Sequence, residues 1–416
     1  MPPLADFAVD VVPVLALLAL LVTAYRHRSG RTEAAVGLAA ATVTVASGLV
    51  SRGEVEAALR NLAPVVAFLA TILVVADVCS RAGLFTAAAG LVRDVSLGRP
   101  VRLLGGVFLL AAAVTAVLSL DATVVLLTPV VIGGAVAMGT SSRPGSYACL
   151  RMANSASLLL PVSNLTNLLA MPHLDLTFGG FAVVMAPVLA VVLVVEYVVL
   201  RWLFRGDLAE SDRPAPAPLA PAVPRVPLLA VIVMLVGFAA LSPFGVEPFW
   251  VSGAVAVVLV GWARHRRFLT VRDAVHAAHP SFAVFVLCLG VVVAALSAGF
   301  LGDAVADVLP DNTSYGSLLL IAVVATVLAN LLTNLSATLL VVPLLAPLGT
   351  AAILAALLGL NIGSGLSYTG SLANLLWRRS LTRHGEPPGM GDFHRVSLVA
   401  TPLALVAAVT ALSLVT

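Results

Sequence analysis

Two stretches of this chain, 154–169 and 361–376, concentrate hydroxyls and amides of the kind that ligate a small polar solute through oxygen and nitrogen. The first reads Asn-Ser-Ala-Ser-Leu-Leu-Leu-Pro-Val-Ser-Asn-Leu-Thr-Asn-Leu-Leu, the second Asn-Ile-Gly-Ser-Gly-Leu-Ser-Tyr-Thr-Gly-Ser-Leu-Ala-Asn-Leu-Leu. Without a gap, Asn154 aligns with Asn361, Ser157 with Ser364, Leu159 with Leu366, Leu165 with Leu372, Asn167 with Asn374, Leu168 with Leu375 and Leu169 with Leu376. A second echo lies upstream of each, where Ser-Leu-Asp-Ala-Thr (119–123) aligns with Asn-Leu-Ser-Ala-Thr (334–338). Polar, helix-interrupting segments at corresponding places in two halves of an apolar chain point to the substrate site of a secondary transporter.

Each stretch carries its own means of breaking a helix. Pro161 removes a backbone donor in the first, and Gly363, Gly365 and Gly370 loosen the second. The expected result is a polar pocket at the membrane midplane, with Ser119, Asn154, Ser163, Asn164, Thr166, Asn167, Asn334, Thr338, Thr369, Ser371 and Asn374 as its candidate substrate ligands. Asp121 is the acid nearest the centre of an apolar run, and an ionisable group at that depth is by default a functional one, here a proton carrier or ion ligand. A competing reading makes Asp121 and its partner Ser336 helix N-caps. A blander account of the whole motif is small-residue packing between helices, which the duplication with facing hairpins disfavours.

Other chemistry-bearing residues point elsewhere. Asp77 and Glu196 fall toward the ends of their apolar runs, where an interfacial role is expected. His276 and His279 have helical spacing, with Asp273 a turn earlier, but follow a basic loop and read as an ordinary interfacial helix. Cys79, Cys149 and Cys288 are scattered and read as packing residues, so no metal or other cofactor is expected. There is no phosphate-binding loop of the Walker type, and no histidine at depth, Ser-His pair or acidic metal cluster. The chain is therefore expected neither to couple transport to ATP by itself nor to be an enzyme.

The elements that must position these residues are membrane helices. With 60% hydrophobic and 10% charged residues and a mean hydropathy of +1.08, the chain has more apolar surface than a soluble core can hide. Apolar runs fall at about 8–25, 33–50, 62–80, 103–137, 152–172, 180–203, 226–242, 249–263, 280–298, 316–348, 350–376 and 396–414. No cleavable signal is expected, because the first run follows Asp6 and contains Asp10, with its arginines after it. The runs 103–137 and 316–348 are interrupted near their middles by polar residues, and their arms are short for a full crossing. Both are expected to be re-entrant hairpins.

Arginine placement sets the orientation, since the chain has no lysine. With the N-terminus outside and both hairpins re-entrant, every arginine except Arg52 and Arg60 falls in a cytoplasmic segment. The expected fold is all-α and polytopic. It consists of two inverted repeats, 1–204 (hairpin 103–137, broken helix 152–172) and 228–416 (hairpin 316–348, broken helix 350–376), each with five transmembrane helices, one of them broken, plus a hairpin. Between them, 205–227 carries Pro214, Pro216, Pro218, Pro221, Pro224 and Pro227 and reads as an extended cytoplasmic linker. Both termini then lie outside the plasma membrane.

Ser-Leu-Asp-Ala-Thr-Val-Val-Leu-Leu-Thr-Pro (119–129), Ala-Asn-Ser-Ala-Ser-Leu-Leu-Leu-Pro-Val-Ser-Asn-Leu-Thr-Asn-Leu (153–168) and Thr-Gly-Ser-Leu-Ala-Asn-Leu-Leu-Trp (369–377) resemble the arsenical pump membrane protein family, the arsenite and antimonite efflux permeases of the ion transporter superfamily. The resemblance spans nearly the whole chain. It implies extrusion of trivalent arsenic or antimony hydroxide from the cytoplasm, driven by protons, sometimes with a separate ATPase subunit, and a homodimer is a further candidate assembly. Where that family commonly has an Asn-Asp pair at the first hairpin tip, Leu120 here precedes Asp121. The rival on the same superfold is a sodium-coupled importer of carboxylates, whose cargo would want positive partners that the apolar runs lack. Bilayer, cargo and protons are the expected partners, and nucleic acid is not.

Overall fold

A computed structural model describes residues 3–26, 30–209 and 221–416, and among these the regular structure is entirely helical. The first half contains α1 (Pro3–Arg26), α2 (Gly30–Ala46), α3 (Arg52–Arg81), α4 (Leu84–Ser96) and α5 (Pro100–Val117). A π-helical turn, Ala122–Leu127, leads into α6 (Thr128–Ala137), followed by α7 (Arg143–Ser155), α8 (Leu165–Ala170), α9 (Phe178–Leu203) and the short α10 (Arg205–Ala209). The second half contains α11 (Arg225–Leu241), α12 (Pro248–His265), α13 (Val271–Ala277), α14 (Pro280–Ser297) and α15 (Phe300–Val308). It continues through α16 (Tyr315–Leu332), α17 (Asn334–Leu345), α18 (Thr350–Asn361), α19 (Leu372–Arg383) and α20 (Met390–Ser413).

Seven helices among the described residues are long and apolar enough to cross a membrane, among them α3, α9, α11 and α20. Large apolar side chains such as Val183, Val194, Val236 and Val257 stay exposed on the outside, as lipid contact requires. The protein is a multi-pass membrane protein. Polar capping decides where several helices begin, and hydropathy does not see it. α3 starts at Arg52, ten residues before the apolar run at 62, because Ser51 and Glu54 form a reciprocal capping box (3.2 and 2.7 Å). Likewise α7 starts at Arg143, not at 152, with Pro144 in its first turn.

Element order repeats between the halves, and so does the packing. α2 lies on α14 while its counterpart α12 lies on α3, where Thr71 and Ser252 share a 2.6 Å hydrogen bond. α3 and α14, themselves counterparts, pack directly on each other, as do α9 and α20. The first arms of the two hairpins, α5 and α16, are 18 residues each, about 27 Å at the rise of an α-helix. That is longer than the apolar runs suggest, so arm length alone does not make these elements re-entrant. The second arm of the second hairpin is shorter, α17 having 12 residues. The ends of the 205–227 stretch are helical, in α10 and in the start of α11, while its middle, 210–220 with Pro214, Pro216 and Pro218, lies outside the described residues.

Candidate functional site

Both hairpin tips turn on a residue with an unusual backbone. Ser119 has φ 148° and Thr333 φ 74°, a region that costs a non-glycine residue on the order of 1–3 kcal/mol and persists only when its surroundings hold it. Ser119 Oγ accepts the Ala122 N–H (3.3 Å), and Asn334 N–H donates to the Gly370 carbonyl (2.9 Å), tying the second tip to the second break. Ser163 Oγ donates to the Ala116 carbonyl (2.6 Å), tying the first break to the first hairpin. Asn330 does similar work in the second half, donating to Gly363 O (2.9 Å) and accepting from Ser367 N–H and Oγ (2.9 and 2.7 Å).

Unwinding at 156–164 and 362–371 frees backbone carbonyls that two asparagines satisfy. Asn167 Nδ2 donates to the carbonyls of Ser157 and Leu160 (2.7 and 3.0 Å), and Asn374 Nδ2 to those of Ser364 and Ser367 (2.9 and 2.8 Å). The breaks are also bonded to each other. Asn154 Nδ2 donates to Asn374 Oδ1 (2.8 Å) and Asn361 Nδ2 to Asn167 Oδ1 (2.9 Å). Asn164 and Ser371, the N-caps of α8 and α19, donate to Asn361 Oδ1 (2.6 Å) and Asn154 Oδ1 (3.0 Å). Every one of these contacts has its mate 207 positions along the chain, as 154 is to 361 and 167 to 374. Gly370 allows the second break to close: a Cβ there would run into the Ser364 carbonyl and lie 2.5 Å from Asn330 Oδ1.

Where tips and breaks converge there is a small cavity of about 60 Å³, lined by Ser119, Asp121, Ser163, Asn164, Thr166, Asn334 and Ser371 with apolar neighbours, and by no basic residue. A single water needs about 10–15 Å³ of such space, so the cavity has room for on the order of four water-sized groups. It adjoins a vestibule of about 1470 Å³ whose walls carry Arg31, Arg81, Arg272, Arg379 and Arg383 and whose floor includes Asp121, Thr333, Asn334 and Thr369.

Six of the eleven proposed ligands thus line the small cavity, and Thr369 lines the vestibule. Asn154, Asn167, Asn374 and Thr338 line neither, being at most 2% exposed and bonded within the protein, Thr338 to the Asn334 carbonyl (2.6 Å). Asp121 lines both cavities and, among the described residues, no protein group bonds its carboxylate. It caps no helix: its side chain makes no cap bond, and the chain runs straight from it into the π-turn. Ser336, its aligned partner, is buried inside α17. The N-cap reading of these two residues is therefore corrected. The cysteines are all buried and line neither cavity.

Sequence reasoning misplaced one charge and missed another. Glu196 is not interfacial but fully buried, with Arg151 Nη2 at 2.7 Å and Nε at 3.2 Å and Ser155 Oγ at 2.6 Å. Arg151 is 1% exposed, and its third nitrogen donates to Thr401 Oγ1 of α20 (2.9 Å). An arginine at the edge of an apolar run reads as solvated because its partner lies 45 residues away. Asn361 was legible as Asn154's twin, whereas Asn330 and Phe282, which lines both cavities, carried no such signal.

The sequence profile of the Citrate transporter (CitMHS) family matches residues 15–363. The chain is 27% identical over 392 residues to an arsenical pump membrane protein of Escherichia coli, covering 90% of this chain and 91% of that one. To the protein of the same name from strain K12 it is 28% identical over 394 residues, with the same coverage. An uncharacterized transporter of Mycobacterium tuberculosis is 27% identical over 184 residues, 43% of this chain and 42% of its own. Among solved structures, the Alcanivorax borkumensis YdaH transporter, described as having an unusual topology, shares the fold with a TM-score of 0.58 at 17% identity, covering 86% of each chain.

Proposed function

The chain belongs to the citrate transporter family, and from that premise we propose that this secondary transporter extrudes trivalent arsenic or antimony hydroxide in exchange for protons. The observation that carries the reading is the small cavity. Its hydroxyls and amides can replace water around a neutral trihydroxide, its single acid can exchange a proton, and it offers no fixed positive charge. Such a solute has about four heavy atoms, in keeping with the room available. The likeness to proteins named arsenical pump membrane protein over 90% of the chain supports the same cargo.

Charge supports an orientation for this conformation. The arginines around the vestibule belong to segments that the positive-inside rule assigns to the cytoplasm, which supports an inward-facing conformation, the loading state of an exporter. Both termini then lie outside the plasma membrane. The paired hydrogen bonds 207 residues apart support two repeats related by a two-fold axis, and the arginine placement supports their inversion, with tips entering from opposite sides. Candidate partners are a cytoplasmic ATPase subunit and a second copy of the chain.

The rival, a sodium-coupled carboxylate importer, is favoured by the family's description but not by the cavity. Arg151, the buried arginine closest in sequence to the first break, is held by Glu196 and lines neither cavity. Arsenite uptake into everted membrane vesicles tests both readings. It should require a proton gradient and ignore sodium. Sodium-dependent citrate uptake without arsenite uptake sinks the proposal.

A further inference from the structure

The small cavity and the vestibule share five lining residues, Asp121, Phe282, Asn334, Leu335 and Leu372, which therefore lie at the junction of the two. Three are apolar. Phe282 stands on the first turn of α14, which opens with Pro280, and its ring stacks on Phe285 at 6.1 Å and 16°. That helix has little freedom to move: Gly37 of α2 lies so close that a Cβ would be 3.3 Å from Cys288, and one on Gly290 would run into Leu62 of α3. Leu335 sits in the first turn of α17 and Leu372 in that of α19, on the second hairpin and the second break. Part of the junction is thus fixed to the α2–α3–α14 body, and part belongs to the elements that build the site.

We infer that Phe282, with Leu335 and Leu372, is a selectivity neck that admits the cargo only as its uncharged conjugate acid and sets its upper size. This rests on the reading of the small cavity as the substrate site. An anion passing three apolar side chains loses most of its water, with only the Asn334 amide to replace it. An anion meets, in addition, the carboxylate of Asp121. A neutral hydroxide keeps hydrogen bonds throughout, donating to Asp121 and accepting from the Asn334 amide. The vestibule arginines can gather anions at the mouth, but the neck passes the protonated form. Oxyacids that are neutral at cytoplasmic pH are the class this selects, and carboxylates are turned back.

The test uses the full chain lacking its three cysteines, with Ser119→Cys reporting on the small cavity and Thr369→Cys on the vestibule. Reagents are a neutral maleimide and a small anionic methanethiosulfonate, applied to purified protein and scored as the Ser119→Cys rate divided by the Thr369→Cys rate. With Phe282 present, the neutral reagent should be favoured by about tenfold or more. Phe282→Ala should raise both normalised rates and bring them together, Phe282→Trp should lower both, and Phe282→Leu should fall between. Equal normalised rates in all four backgrounds overturn the neck, whatever the cargo is. In everted vesicles, Phe282→Ala should lower the preference for arsenite over formate, an anion small enough for the cavity. A chain that moves no arsenite while its labelling follows residue 282 defeats the proposed cargo and leaves the neck standing. Arsenite uptake with labelling indifferent to residue 282 does the reverse.

Discussion

Asn154 donates to Asn374 across the two halves of the chain at 2.8 Å, and the residues 207 positions away from each, Asn361 and Asn167, repeat the bond at 2.9 Å. The two broken helices are therefore held together as one polar body, with the freed carbonyls of each break satisfied by the asparagine at its far end. These amides build the frame of the site, and the residues that face the cavity are carried on it.

Asn167→Ala and Asn374→Ala should consequently lower stability as well as transport. Each change removes the side-chain donor from two carbonyls and the acceptor from one amide in a buried setting; Leu160 O and Ser367 O keep a backbone N–H, while the other groups lose about 1–3 kcal/mol each. Thermal unfolding in detergent should show a clear drop for both. Asn61→Ala, at an exposed position of α3, should be nearly silent. Unaltered melting of the two buried variants would contradict the network.

The buried pair makes a second prediction. Arg151→Met or Glu196→Gln alone leaves an uncompensated group in a site at most 1% exposed, costing roughly 3–5 kcal/mol for a lost ion-pair partner. The double variant Arg151→Met with Glu196→Met should recover most of that loss in the same melting assay. Arg151→Lys should not, because one ammonium cannot hold both Glu196 oxygens and Thr401 Oγ1 in the same geometry. A double variant as unstable as either single one would refute the coupling.

Asp121→Asn separates coupling from binding. With no protein partner for its carboxylate among the described residues and no cap bond to lose, the change should leave melting unaltered or slightly raised. Gradient-driven arsenite accumulation should stop, while downhill exchange continues. Full accumulation by the variant eliminates proton coupling at this residue, and sodium dependence becomes the next measurement.

Gly370→Ala should prevent the second break from closing, since its Cβ would meet the Ser364 carbonyl and Asn330 Oδ1. Poor recovery of monodisperse protein is expected. Gly261→Ala, in α12 with open space around it, should be recovered like the parent chain. Equal yields from the two variants would mean that the close approach at 370 is not needed.

Accessibility of the tips checks the topology. In this conformation Asn334 lies on the floor of the vestibule, so Asn334→Cys should react with an impermeant thiol reagent from the arginine-rich side. If the repeats are inverted, it should also become reachable from the opposite side during turnover. Protection from that side under all transport conditions would argue against alternation at this tip.

The sequence by itself determined the membrane class and the positions of both breaks. Hydropathy is a sum over local residues, and a duplicated motif such as Asn154/Asn361 or Asn167/Asn374 survives as identity at a fixed spacing. Helix starts were less legible, because Ser51 and Glu54 begin α3 through hydrogen bonds that a hydropathy window ignores. Only the tertiary structure decided which polar residues face the cavity and which face each other. Asn164 and Asn167 are three residues apart, yet one lines the small cavity and the other is spent on carbonyls and on Asn361. The same holds for Arg151 and Glu196, each ordinary in its own segment and paired only when α7 packs on α9. Hydrogen bonds and ion pairs between distant segments depend on positions in space, which residue type and spacing do not encode locally.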